Sequence, residues 1–138
     1  VTAVLRSMTG YGSVRVETAA MILGGGVPKN YTLQGEPLLS QILGVEARGF
    51  DYDAQVCGEV ADNGALSPCS AGEGHTWGKT SAECVETSSA YLRTDVTIAA
   101  PFLAEALLSD PSLRREPRRL FTRIAEAERA LDALWLGR

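Results

Sequence analysis

Lysine is nearly missing from this chain: of 13 basic residues only Lys29 and Lys79 are lysines, and the other 11 are arginines. There is one histidine, His75, and there are three cysteines, Cys57, Cys69 and Cys84. None of the cysteines forms the tight pairs that structural zinc sites use, even with His75 as a fourth ligand, so no metal site is expected. Their odd number and irregular spacing fit reduced thiols and a cytoplasmic setting. No apolar run approaches the ~20 residues that span a bilayer, and no secretory leader pattern is read, so no membrane partner is expected. Repeats and low-complexity tracts are absent as well.

What is present is about one domain's worth of ordinary globular sequence: 138 residues, 45 % hydrophobic and 22 % charged. The net charge of −4 is uneven. Residues 111–138 carry 7 arginines against 4 acids, which leaves residues 1–110 with 6 basic and 13 acidic side chains. An acidic body argues against nucleic acid and is compatible with a cationic ligand, although a solvated acidic surface gives the same pattern.

Residues 1–18 show no clear period beyond a turn signal at Gly10-Tyr11-Gly12-Ser13. Ala19-Ala20-Met21-Ile22-Leu23 then runs apolar into Gly24-Gly25-Gly26, which reads as a buried strand and a turn. Three glycines there either make a tight turn or let backbone N–H groups approach a phosphate; the spacing is not GxGxxG. A helix is expected over Glu36–Leu43, with Pro37 in its first turn, Gly44 as its cap and Leu38, Leu39, Ile42 and Leu43 as its buried stripe. Strands follow at Tyr52–Cys57 and Ser89–Thr94, separated by a polar loop over Glu59–Gly72. Helices are expected over Thr97–Leu108 and Arg118–Leu136, the last directing Leu120, Phe121, Ile124, Leu131, Leu134 and Trp135 towards a core. Strands alternating with helices predict an α/β fold, a partial Rossmann-like parallel sheet with flanking helices. Three strands are few for such a sheet. The expected division is an α/β portion over residues 1–110 and an amphipathic carboxyl-terminal helix over 111–138.

The stretch with most chemistry is Glu73-Gly74-His75-Thr76-Trp77-Gly78-Lys79. A short helix over Glu73–Gly78 places Glu73 and Trp77 on one face, and Gly78 provides the break that lets Lys79 join them. Guanidinium is always protonated, whereas an amine can lose a proton and attack a carbonyl or imine carbon. Retaining a lysine in an arginine-rich chain is therefore either compositional accident or chemistry. Trp77 offers a π-face to an ammonium and Glu73 a counter-ion. A core tryptophan and a solvated glutamate at a helix start would give the same letters.

Four segments together resemble the deoxyhypusine synthase family, in particular its bacterial synthase-like branch. They are Ile22-Leu23-Gly24-Gly25-Gly26-Val27-Pro28-Lys29-Asn30, Gly64-Ala65-Leu66-Ser67, Glu73 with Trp77-Gly78-Lys79, and Asp95-Val96-Thr97 with Ala100-Pro101-Phe102-Leu103. The resemblance spans about Ala19–Leu108 and corresponds to the carboxyl-terminal part of a longer enzyme. It implies NAD-dependent aminobutyl transfer from spermidine, with Lys79 as the imine-forming catalytic residue. Glu73, Trp77 and Asn30 fall at substrate-binding positions. Gly24, Gly25, Gly26, Asn63, Ser67 and Asp95 fall at positions near the dinucleotide, and Asp95 can equally be a helix cap.

Two departures qualify the acceptor. Asn30 stands where eukaryotic members have histidine, and asparagine cannot shuttle a proton as imidazole does. Leu66 stands where an acidic residue binds substrate. These changes leave a homospermidine synthase-like reaction, with putrescine as acceptor, as an alternative. The family's active sites lie between subunits, which implies a homo- or hetero-oligomer. Because the family's first half has no counterpart here, a non-catalytic regulatory or structural subunit, or a gene fragment, is the remaining alternative.

Overall fold

The computed structural model describes residues 17–60, 70–113, 122 and 124–136. Its centre is a three-stranded parallel sheet in the order β1-β2-β3, formed by Ala19–Leu23 (β1), Tyr52–Cys57 (β2) and Ser89–Arg93 (β3). Ala20 pairs with Asp53 and Ile22 with Gln55, while Asp53 pairs with Ser89 and Gln55 with Tyr91. The fold is thus α/β with a parallel sheet and flanking helices, as the alternation of elements predicts.

Between β1 and β2 the chain forms α1 (Gly26–Leu33), a short turn α2 (Gly35–Pro37) and a π-helical turn over Leu38–Ile42. The expected helix at Glu36–Leu43 is therefore only the end of a longer helical passage that starts directly after the glycines. Pro28 sits in the first turn of α1, where its missing N–H costs nothing. Pro37 has no N–H to give to the preceding turn, and after it the ladder widens: Leu43 N–H donates to Leu38 O at 3.0 Å. The wider turn changes which side chains face inward. Leu39 is buried, Leu38 and Leu43 pack beside it and Val45, and Ile42 is 74 % exposed.

Two short helices, α3 (Ala71–Thr76) and α4 (Ala82–Thr87), connect β2 to β3 within the described residues. Ser70 and Ser81 cap them through side-chain oxygens that accept from Glu73 N–H and Cys84 N–H. Helix α5 (Val96–Ser109) follows β3 and packs on β2, with Pro101 inside its second turn. Helix α6 (Ile124–Leu136) supports the end of the helix expected over Arg118–Leu136; residues 118–121 and the core-facing side chains expected there lie outside the described set.

The sheet's two faces differ. Ala20 and Ile22 on one face close over Leu33 and Phe50 as a buried cluster, with Asp53 and Gln55 on the same side. On the other, Val56 is buried but Met21, Leu23, Tyr52 and Leu92 are 45–59 % exposed. Parallel sheets normally bury both faces. Among the described residues no helix is long and apolar enough to cross a membrane.

Candidate functional site

Lys79 leaves α3 through a turn whose geometry follows from Gly78. Trp77 is the cap residue, Gly78 takes φ +72°, Gly78 N–H donates to His75 O at 2.8 Å, and Lys79 N–H donates to Gly74 O at 2.9 Å. This is a Schellman motif, which needs a left-handed residue after the cap and so favours glycine. His75 Nδ1 lies 2.8 Å from Thr80 O and, facing a carbonyl, must carry the proton there. His75 is exposed, and its ring staples the turn across Lys79.

The next residues are pinned to the strand that becomes β2. Phe50 N–H donates to Lys79 O and Ser81 N–H donates to Phe50 O, both at 2.9 Å. Gly49, at φ +79°, permits this approach: a Cβ there would lie 2.5 Å from the Thr80 carbonyl carbon. Gly49 N–H in turn donates to Glu36 Oε2 at 3.0 Å. Glu36 is buried, and burial pushes its carboxyl up to about 6, opposed by the Gly49 hydrogen bond and raised further by nearby Asp51.

The Lys79 side chain turns inward and is 7 % exposed. Its Nζ donates to Asn30 Oδ1 at 3.1 Å across 49 residues of sequence. Asn30 is held by α1, and α1 is held by Gln55 on the central strand. Gln55 Nε2 donates to Gly24 O at 2.8 Å, while Gln55 Oε1 accepts from Lys29 Nζ at 3.0 Å. One buried amide therefore ties the glycine turn and the first turns of α1 to the sheet. Gln55, Glu36, Gly49 and the buried Lys29–Asp53 pair are supports that sequence reasoning did not find. Only the alternation of Asp53 and Gln55 within an apolar strand signalled them.

The structure brings Lys79 and Asn30 together. Glu73 and Trp77 lie on and just after the same short helix, but both are exposed, Trp77 by 59 %, so the described residues do not close a pocket around the three. Gly24, Gly25 and Gly26 form the turn at the carboxyl end of β1. Gly24 is at φ +128°, and its N–H is already given to Val56 O. Gly25 and Gly26 begin an eight-residue helix, so their amides are those suited to an anion. Asp95, at the carboxyl end of β3, caps α5: its Oδ1 accepts from Thr97 N–H at 2.8 Å and Thr97 Oγ1 at 2.6 Å. The Thr97 hydroxyl, then its amide, hold the Asp95 carboxyl below the usual range. Asn63 and Ser67 lie outside the described residues.

The deoxyhypusine synthase family model matches residues 5–107. The chain belongs to the deoxyhypusine synthase family. Among its relatives are deoxyhypusine synthase-like proteins of Thermosynechococcus vestitus, 39 % identical over 87 % of this chain, and of Nostoc punctiforme, 38 % identical over 86 %. A probable deoxyhypusine synthase 2 of Archaeoglobus fulgidus is 35 % identical over 76 %. The aligned part is 29 % of the first two relatives and 33 % of the third, so the chain spans about a third or less of their length. In this synthase-family chain the glycine turn and Asp95 stand at the carboxyl ends of β1 and β3, the two strands that flank β2 in one parallel sheet. That is where α/β sheets receive nucleotides, so a dinucleotide fits the residues present.

Proposed function

We propose that this chain carries the imine-forming lysine of an NAD-dependent aminobutyl transferase acting on spermidine. The observation that supports it most is the Lys79 amine, turned inward by the Schellman turn and met by Asn30. Bound NAD would supply a hydride acceptor and return the hydride at the end. Gly25 and Gly26 amides would face its phosphates, and Asp95 would accept from a ribose hydroxyl. Lys79 Nζ, once deprotonated, adds to the oxidised carbon of the polyamine and the diaminopropane portion leaves as the amine. The four-carbon unit then sits on Lys79 as an imine until an acceptor amine takes it. Trp77 and Glu73 would hold the far ammonium once a further wall closes over them.

That wall is part of the proposal. The chain works within a homo- or hetero-oligomer whose remaining polypeptide completes the site, and residues 1–110 form the catalytic portion. Asn30, an amide that binds an amine without relaying protons, favours a small amine such as putrescine as a second reading of the acceptor. The test is intact mass of this chain, mixed with a full-length family member whose own motif lysine is changed to arginine, after incubation with NAD and spermidine and reduction with borohydride. One aminobutyl increment mapped to Lys79 is expected, and none with Lys79→Arg. An increment that persists in Lys79→Arg would remove the imine assignment. If the chain is a non-catalytic subunit, it changes the turnover of a longer family member and Lys79 substitutions do not matter.

A further inference from the structure

A cavity of about 160 Å³ lies between α1, the start of α3 and strands β2 and β3, and Lys79 is not among the residues that line it. Asp53 is, and it is 5 % exposed, yet its Oδ1 has no hydrogen-bond partner. Its other oxygen stands 3.9 Å from Lys29 Nζ, beyond hydrogen-bond reach, while Lys29 Nζ donates to Gln55 at 3.0 Å. A buried acceptor left without a donor is an expensive arrangement that a bound donor would relieve.

The surroundings select the donor. Burial, then Asp53 and, less strongly, Asp51 raise the Cys84 thiol. Lys29 is the one basic residue in the cavity lining among the described residues. Lys29 spends its hydrogen bond on Gln55, so the Asp53 carboxylate, with Asp51 nearby, can take a second cation. The lining beside Asp53 includes Ser70, Ala71, Ser89 and Tyr91, and Ser89 and Tyr91 share its face of the sheet. A cavity of this size accepts a molecule about as large as benzene.

We propose that this cavity binds one primary ammonium group on a short alkyl chain, with Asp53 Oδ1 accepting its hydrogen bond. The ammonium brings both a donor and a positive charge. The alkyl carbons lie against Ala71 and Tyr91. This site goes beyond the Lys79 chemistry and is separate from it.

The test is titration of n-butylammonium into the ¹⁵N-labelled 138-residue chain, following the amide shifts of Ser89, Ala90 and Tyr91. Saturable shifts are expected. Affinity should fall at least tenfold for n-butanol, which lacks the charge, and for tetramethylammonium, which lacks the donor. Asp53→Asn should lose at least tenfold in affinity. Ser89→Leu fills the cavity without touching the carboxylate and should lose as much; it decides the matter if Asp53→Asn fails to fold. Absence of saturable shifts in the native sequence, or undiminished affinity in a folded variant, overturns the proposal and leaves the cavity to water. Neither Lys79 nor a dinucleotide takes part, so the outcome is independent of aminobutyl transfer.

Discussion

Gly49 and Gly78 both hold positive φ, at +79° and +72°, but their surroundings differ. A Cβ at Gly49 would strike the Thr80 backbone at 2.5 to 2.8 Å, whereas at Gly78 nothing lies within 4 Å. Gly78→Ala should therefore cost about 1 kcal/mol, the left-handed penalty alone. Gly49→Ala adds a backbone clash and should cost more than ~3 kcal/mol. Urea unfolding of the two variants checks the difference, and equal costs would mean that the Gly49–Thr80 approach is not as close as described. Glu36 supplies a pH test on the same support. Its carboxyl sits at about 6 in the fold against 4.5 ordinarily. A raised folded value means that stability is fully present below about 4.5 and declines as pH rises through about 6. The size is about 1 to 2 kcal/mol. Asp95 and Asp110, held low by Thr97 and Ser112 hydrogen bonds, act in the opposite sense and only near or below their ordinary 3.8, so the windows separate. Glu36→Gln keeps an acceptor for Gly49 N–H and should flatten the stability curve between pH 4.5 and 7. A slope that survives the substitution belongs to another group.

Helix α1 is where local preference and tertiary contact meet. Its sequence, with Gly26, β-branched Val27 and Pro28 at the start, has little propensity of its own. What holds it is Leu33 in the sheet-face cluster and the Gln55 amide, which serves Gly24 and Lys29 together. Gln55→Leu leaves a buried ammonium and a carbonyl without that partner, and should cost about 2 to 4 kcal/mol in chemical denaturation. It should also release Asn30, so that Lys79 loses the hydrogen bond that orients its amine. A loss below ~1 kcal/mol would show that α1 is anchored by apolar packing alone. Pro37 acts at the same scale: by removing one N–H it diverts the ladder into the π-helical turn and exposes Ile42.

At the scale of the molecule, the exposed Met21, Leu23, Tyr52 and Leu92 face and the unclosed surroundings of Trp77 go with a chain that spans about a third or less of its relatives. The proposed function then has a complementation test. A full-length family member whose own motif lysine is changed to arginine, mixed with this chain, should regain the borohydride-trapped aminobutyl increment, and it should map to Lys79. Adduct formation by the lone chain, equal with and without that partner, would show that the described residues suffice.

Sequence alone determined the elements that rest on local signals. The apolar run ending in glycines at 19–26, the strand at 52–57, the strand near 89–93 and the helix after Asp95 all carry their own periods, caps or breakers, and all appear with nearly those bounds. Gly78 as the break before Lys79 was legible for the same reason, since a left-handed cap favours a residue without a Cβ. The family was legible because four short segments keep their order. Contacts between distant segments were decided by the tertiary structure. Asn30 meets Lys79 across 49 residues, Glu36 meets Gly49 across 13, and Gln55 meets Gly24 and Lys29 across 31 and 26. These are polar side chains whose roles depend on which partner the fold delivers to them once water is gone, and no local pattern encodes that partner.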